Sequence, residues 1–162
     1  MTTPAEPSSE TLWTWALAAY ARPGVADACL ALQDEHGLSV GLLLWAAWPR
    51  SDGDGGDGCE AAAAVALAWE RAALRPLRAA RRGLKQDLPG DAAARLDLRA
   101  HVQDLELVAE RLLLETLEQL PRGAGDGPTL ARLRRAASAW SAPAAAVAAL
   151  DRLADLLEGG TG

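Results

Sequence analysis

The sequence predicts an all-α fold: a compact bundle of six to seven helices, three short N-terminal ones followed by a long antiparallel pair. Three observations predict it. Phe and Ile are absent while Ala, Leu and Arg dominate the 162 residues, so summed propensity favours helix over strand. Apolar residues share faces at three- and four-residue spacings. Residues that start and stop helices punctuate those segments. Half of the residues are apolar, and the length suits one domain that buries a core without disulfides.

Residues 1–8 are expected to form a disordered lead; no basic stretch precedes an apolar run, so no signal peptide is expected. Ser9 is placed to cap a helix that runs to about residue 21, with Glu10 in its first turn. Leu12, Trp15 and Ala19 share one face, and Leu17 and Tyr20 extend it. Pro23 suits the first position of a second helix, residues 23–36, ended by Gly37. Its stripe is Val25, Cys29, Leu32 and His36. Ser39 caps a third helix over 40–48. Residues 51–59 are rich in Gly and Asp and are expected to form a flexible loop.

A fourth helix begins near Glu60 and ends at 83–85, with a kink or brief break near 72–75 imposed by Pro76. Asp91 caps the fifth and longest helix, 92–120, about 43 Å at the standard rise. A sixth covers 129–140. Pro143 opens a seventh that ends by Glu158, and 159–162 fray. Residues 9–158 thus form a single helical domain. No repeat of fixed period is present.

The net charge of −6 argues against nucleic acid as a partner. The apolar run at 40–48 is too short for a membrane span. Cys29 and Cys59 are expected as reduced thiols in the cytoplasm, either buried or idle.

The sharpest chemical feature is a row of cations. Arg71, Arg75, Arg78, Arg82 and Lys85 fall within roughly an 80° arc on a straight helix. Trp69, Ala73, Leu77, Ala80 and Leu84 fall opposite and are expected to be buried. Aligned guanidiniums repel one another unless an anion compensates, and their forks suit carboxylate or phosphate. The stripe is therefore expected either to take an acidic partner or anionic ligand, positioned by Glu106 or Glu110, or to be neutralised by the acidic fifth helix.

Other patterns carry less. Asp97, His101 and Asp104 share one side of the fifth helix, but a metal site needs a further ligand, for which His36 and Glu70 are the candidates. Glu-x-x-His and His-Glu-x-x-His are absent, so no metal is expected. Asp52, Asp54 and Asp57 fail as a calcium loop, since positions six and twelve hold Asp57 and Ala63. No serine sits in a Gly-x-Ser-x-Gly elbow. Trp13 and Trp15 cannot both be buried on one helix face. Trp13 and Trp48 are the candidate docking aromatics.

Residues 12–48 carry Leu12-Trp13, Tyr20, Pro23-Gly24-Val25, Ala28-Cys29-Leu30, Leu32-Gln33-Asp34, Gly37, Val40, Leu43-Leu44 and Trp48. In these the chain resembles an uncharacterised family of small all-helical bacterial proteins, found mostly in proteobacteria, with no assigned activity. Trp69-Glu70-Arg71, Pro76-Leu77-Arg78 and Leu84-Lys85 resemble its second block. The chain departs from the pattern at Ser39 and Gly41, where members tend to carry an acid or amide and an asparagine, and in the Gly/Asp loop, which looks like an addition. The resemblance implies a helical cytoplasmic bacterial protein.

No catalytic set converges. The expected function is therefore a non-enzymatic cytoplasmic interaction or adaptor protein whose partner is another protein, with no cofactor. The alternative is a binding module or enzyme for a phosphorylated small molecule held by Arg71, Arg75, Arg78 and Lys85.

Overall fold

The computed structural model describes residues 10–49, 58–121 and 127–159. Seven helices and no strand lie among them: α1 (Leu12–Tyr20), α2 (Val25–His36), α3 (Val40–Ala47), α4 (residues 59–83), α5 (Ala92–Glu118), α6 (Thr129–Ala139) and α7 (Val147–Glu158). A short 3₁₀ turn, Ala144–Ala146, leads into α7. The expected lead at 1–8, loop residues 51–57 and tail residues 160–162 lie outside the described residues.

Local chemistry explains most boundaries. Ser39 Oγ accepts from Leu42 N and caps α3, and Asp91 Oδ1 accepts from Ala93 N and Ala94 N at the start of α5. Gly37 ends α2 at φ 68°. Three expected starts shift. Thr11, not Ser9, caps α1, its hydroxyl accepting from Thr14 N at 3.2 Å, and Glu10 precedes the helix. The second helix begins at Val25 rather than Pro23, because Gly24 adopts φ 83° and leaves Pro23 in the turn. Cys59 is the first residue of α4 rather than the end of a loop.

α4 is α-helical over Cys59–Trp69, π-helical over Glu70–Leu74 and α-helical again over Arg75–Gly83. The Arg75 N–H reaches back five residues to the Glu70 carbonyl. Pro76 follows at once. Its ring crowds the carbonyl four residues back and it has no N–H to donate, and a widened turn relieves both. The break foreseen near Pro76 is thus a π turn inside a continuous helix.

α3 is apolar on every side, as a fully enclosed helix must be. Residues 42–47 and Trp48 are all buried. It packs against α2, α4, α5 and α6. α4 and α5 run antiparallel: Leu84 O accepts from Arg95, Arg81 meets Glu106, and Arg78 meets Glu106 and Glu110. The three short N-terminal helices are distributed over this frame, α1 on α5, α3 on α6 and α2 on α7. Long-range bonds tie them down, including Arg22 to the Leu157 carbonyl, Arg132 to the Ala47 carbonyl and Trp140 Nε1 to the Gly37 carbonyl. Among the described residues no helix is long and apolar enough to cross a membrane.

Candidate functional site

The π turn rotates everything after residue 74, and this reorganises the expected cation stripe. Ala62, Ala66, Glu70, Leu74 and Arg78 are all buried at intervals of four. On a regular α-helix such a row would drift by about 160°, and the additional residue of the π turn takes back about 100°. Arg78 therefore points inward and is only 6% exposed, whereas Arg71, Arg75, Arg82 and Lys85 stay outside. The five cations do not share one edge. The face expected to be buried is turned outward with them: Ala80 is exposed, and Trp69, Ala73, Leu77 and Leu84 are only half-buried.

Arg78 is the hub of a buried ionic network. Its Nη1 donates to Glu70 Oε2 at 2.9 Å and its Nη2 to Glu70 Oε1 at 3.4 Å. Its Nε lies 3.5 Å from Glu106 Oε1 without a hydrogen bond, and its Nη2 lies 3.9 Å from Glu110 Oε1. Glu106 is held instead by Arg81, whose Nε donates to Oε2 at 2.7 Å. This bond raises the Arg81 guanidinium above its ordinary value, with burial opposing and the Glu106 charge reinforcing. Glu110 makes no hydrogen bond among the described residues. Burial raises its carboxyl above the ordinary value; Arg78 opposes, and Glu106 and Glu70 reinforce. With Arg75 3.8 Å from Glu70, three guanidiniums thus face three carboxylates, and Glu110 has the loosest contact of the three.

Beside this network lies a partly open cavity of about 250 Å³, lined by residues of α1, α2, α3, α4 and α5. Trp13, Leu17, Leu30, Leu44, Leu107 and Leu113 supply apolar walls. Tyr20, Gln33, Arg78, Arg81, Glu106 and Glu110 supply its polar groups. Leu113 is 1% exposed, whereas Leu17 and Leu107 are half-exposed and form an apolar rim. The Arg111 guanidinium stands 5.7 Å from the Trp13 ring centre, in cation–π range. The Tyr20 phenol is pushed up to about 12, first by burial and then by Cys29 and Glu110, with Arg78 opposing.

The other side of Arg78 borders a polar cleft of about 570 Å³, shared by Gln33, Asp34, Glu70, Arg75 and Arg82. Here Arg82 lies 3.5 Å from Asp34 and Arg75 lies 3.8 Å from Glu70. Three members of the expected stripe therefore do meet, but with carboxylates between them. Arg71 and Lys85 stand apart and pair with no acid among the described residues. The neutralising acids come from α2 and α4 as well as from α5.

The remaining candidates separate. Trp48 is 3% exposed and forms part of the core, so it offers no docking surface, while Trp13 opens onto the cavity. Asp97, His101 and Asp104 are exposed, and His101 Nδ1 sits 2.8 Å from the Asp97 carbonyl. Glu70, the conceivable further ligand, is committed to Arg78. Among the described residues no group of His, Cys, Asp and Glu is placed to hold a metal ion. Cys29 and Cys59 are both buried free thiols. Sequence reasoning misses Arg81, the role of Glu70, and Tyr20 and Gln33 as polar lining. The row at 62, 66, 70, 74 and 78 is the available signal, since it places a Glu and an Arg in line with Ala and Leu.

The fold and the cavity define a small all-α protein with one ionic network set into the wall of an apolar chamber. A family model described as a protein of unknown function (DUF2390) matches residues 11–117, and the chain belongs to that family. The match reaches beyond the two blocks recognised in the sequence and takes in nearly all of α5. Every wall residue of the cavity, from Trp13 to Leu114, lies within it. Comparison with curated proteins and with solved structures gives no match.

Proposed function

We propose that the chain is a non-enzymatic binding module of the bacterial cytoplasm whose ligand, a small and largely apolar molecule, enters the cavity between α1, α2 and α5. The observation that carries this reading is the cavity itself: apolar walls, a half-exposed apolar rim and a few polar groups gathered around the buried Arg78 network. An apolar hole of roughly 150 Å³ already holds a benzene-sized molecule, so about 250 Å³ leaves room for a modest ligand. A thermal-shift screen of small apolar compounds tests it. Ligand at a hundredfold excess over its Kd adds about 2.7 kcal/mol, a rise of roughly 5–10 °C for a chain of this size. Leu107→Trp at the rim should abolish the rise without lowering the melting temperature of the free protein. A rise that is unchanged in this variant, or no rise with any compound, would overturn the reading.

An adaptor role has separate support from α5. Leu98, Leu105, Val108 and Leu112 are exposed along one side of that helix, away from the core. A partner protein retained by the wild-type chain and lost by Leu105→Glu would establish that role; equal retention would remove it. Of the cations expected to hold a phosphate, Arg71, Arg75, Arg78 and Lys85, only Arg75 and Arg78 border the polar cleft, where Arg82 joins them. The phosphate reading has less support, because Glu70 and Asp34 already occupy these cations.

A further inference from the structure

We infer that the ligand of the cavity carries a single positive charge: a small primary amine on an apolar body, with its ammonium placed against Glu110. This inference rests on the cavity reading above and specifies the chemistry of its ligand.

The pairing distances point to it. Arg75, Arg78 and Arg81 face Glu70, Glu106 and Glu110, so the charges are equal in number and the distances decide which acid is least well held. Glu70 is taken up by Arg78 at 2.9 Å and Glu106 by Arg81 at 2.7 Å. Glu110 is the acid with the loosest contact: it lies 3.9 Å from Arg78, has no hydrogen bond among the described residues, and keeps its side chain 42% exposed. It borders the cavity. An anionic head group would have to displace Glu70 or Glu106 from its guanidinium. A neutral ligand would strip water from Glu110 and return nothing to it. An ammonium replaces that water with a close positive charge and three N–H donors.

Acceptors for the remaining donors border the same chamber. Gln33 Nε2 donates to Asp34 Oδ1, which leaves the Gln33 carbonyl oxygen uncommitted, and Tyr20 lines the same cavity. Partial burial raises the Glu110 carboxyl, with Arg78 opposing from 3.9 Å. The apolar walls and rim set the other requirement, a body without polar groups.

Calorimetric titration of the full chain at pH 7 with hexylamine, 1-hexanol, hexanoate and hexyl phosphate isolates the head group, because the four share one chain. Hexylamine should bind at least tenfold tighter than 1-hexanol, and both anions more weakly than the alcohol. Glu110→Gln should cut hexylamine affinity about tenfold and leave 1-hexanol unchanged. Its unaltered melting temperature would confirm the fold, since Glu110 holds no hydrogen bond. Equal binding of amine and alcohol would overturn the charge inference and keep the cavity reading. Tighter binding of hexanoate or hexyl phosphate would overturn it in favour of the arginines. Binding of none of the four, together with a flat response of the wild-type chain in the apolar screen, would remove both readings.

Discussion

Arg78 holds the Glu70 carboxylate with both terminal guanidinium nitrogens, at 2.9 and 3.4 Å, although the two residues are eight apart on one helix. On a regular α-helix that separation leaves them about 80° apart, and the π turn between them brings the offset to about 20°. The pair is buried, 3% and 6% exposed, so removing one partner strands a desolvated charge. Glu70→Ala should cost about 3 kcal/mol, roughly 6–12 °C in melting temperature. Glu70→Leu combined with Arg78→Met should recover most of that loss, because the two deeply buried charges leave together, while Glu110 and Arg75, which lose a contact, still reach solvent. A double variant as unstable as the single one in thermal unfolding would show that the ion pair itself stabilises the fold.

How far the sequence carries depends on the range of the interactions involved. Ser39, Gly37 and Asp91 are legible because a cap is decided within three or four residues. Pro76 marks the place of the break, but the same proline is compatible with a kink, an interruption or a π turn. The π turn shifts the helical phase of residues 75–83 by about 100° without breaking the helix. A straight-helix reading therefore puts Arg78 outside with Arg71 and Arg75, and it overlooks Arg81. Trp48 reads as a docking group because nothing local shows that α3 is enclosed by α2, α4, α5 and α6. The meeting of Tyr20 and Gln33 with Glu106 and Glu110 spans more than seventy residues of chain, and no spacing rule reaches that far.

Gly58 and Gly37 both adopt left-handed backbone, at φ 69° and 68°, yet differ in what surrounds them. A Cβ at Gly37 meets nothing within 4 Å. One at Gly58 would stand 2.6 Å from the Pro121 carbonyl oxygen, a backbone atom with little room to yield. Gly37→Ala should cost about 1 kcal/mol, the conformational penalty alone, and Gly58→Ala about 3 kcal/mol. Urea unfolding of the two variants measures both. Equal losses would mean that the junction of α4 with the end of α5 relaxes freely.

The Cys29 thiol is pushed up to about 12 by burial, and the Tyr20 phenol also to about 12. Both are acids raised on folding, so the unfolded chain releases their protons at lower pH than the native one. Stability should therefore fall as pH rises, from about 9, where an unfolded thiol titrates, towards 12. Cys29→Ala should flatten the first part of this decline and Tyr20→Phe the later part. Melting temperature recorded against pH for the three proteins decides the matter; parallel curves would assign the alkaline loss to other groups. The same burial should leave Cys29 unreactive towards a thiol reagent at pH 8 until the chain unfolds.

Acid should act on the proposed amine site through Glu110. The groups facing it are Arg78, Arg81 and Glu70 on α4, Glu106 one turn away on α5, and Tyr20 on α1. Of these the Tyr20 phenol, raised to about 12, stays neutral below pH 9. The Glu110 carboxyl is raised above 4.5, chiefly by burial, so it takes up its proton at a higher pH than an exposed acid. Protonation removes the charge that holds the ammonium. Hexylamine affinity should therefore decline as pH is lowered through that raised value, while 1-hexanol affinity stays level. In Glu110→Gln the two ligands should show the same flat profile. Calorimetry between pH 4 and 8 gives the comparison, and a decline that persists in Glu110→Gln would assign the dependence to Glu70 or Glu106 instead.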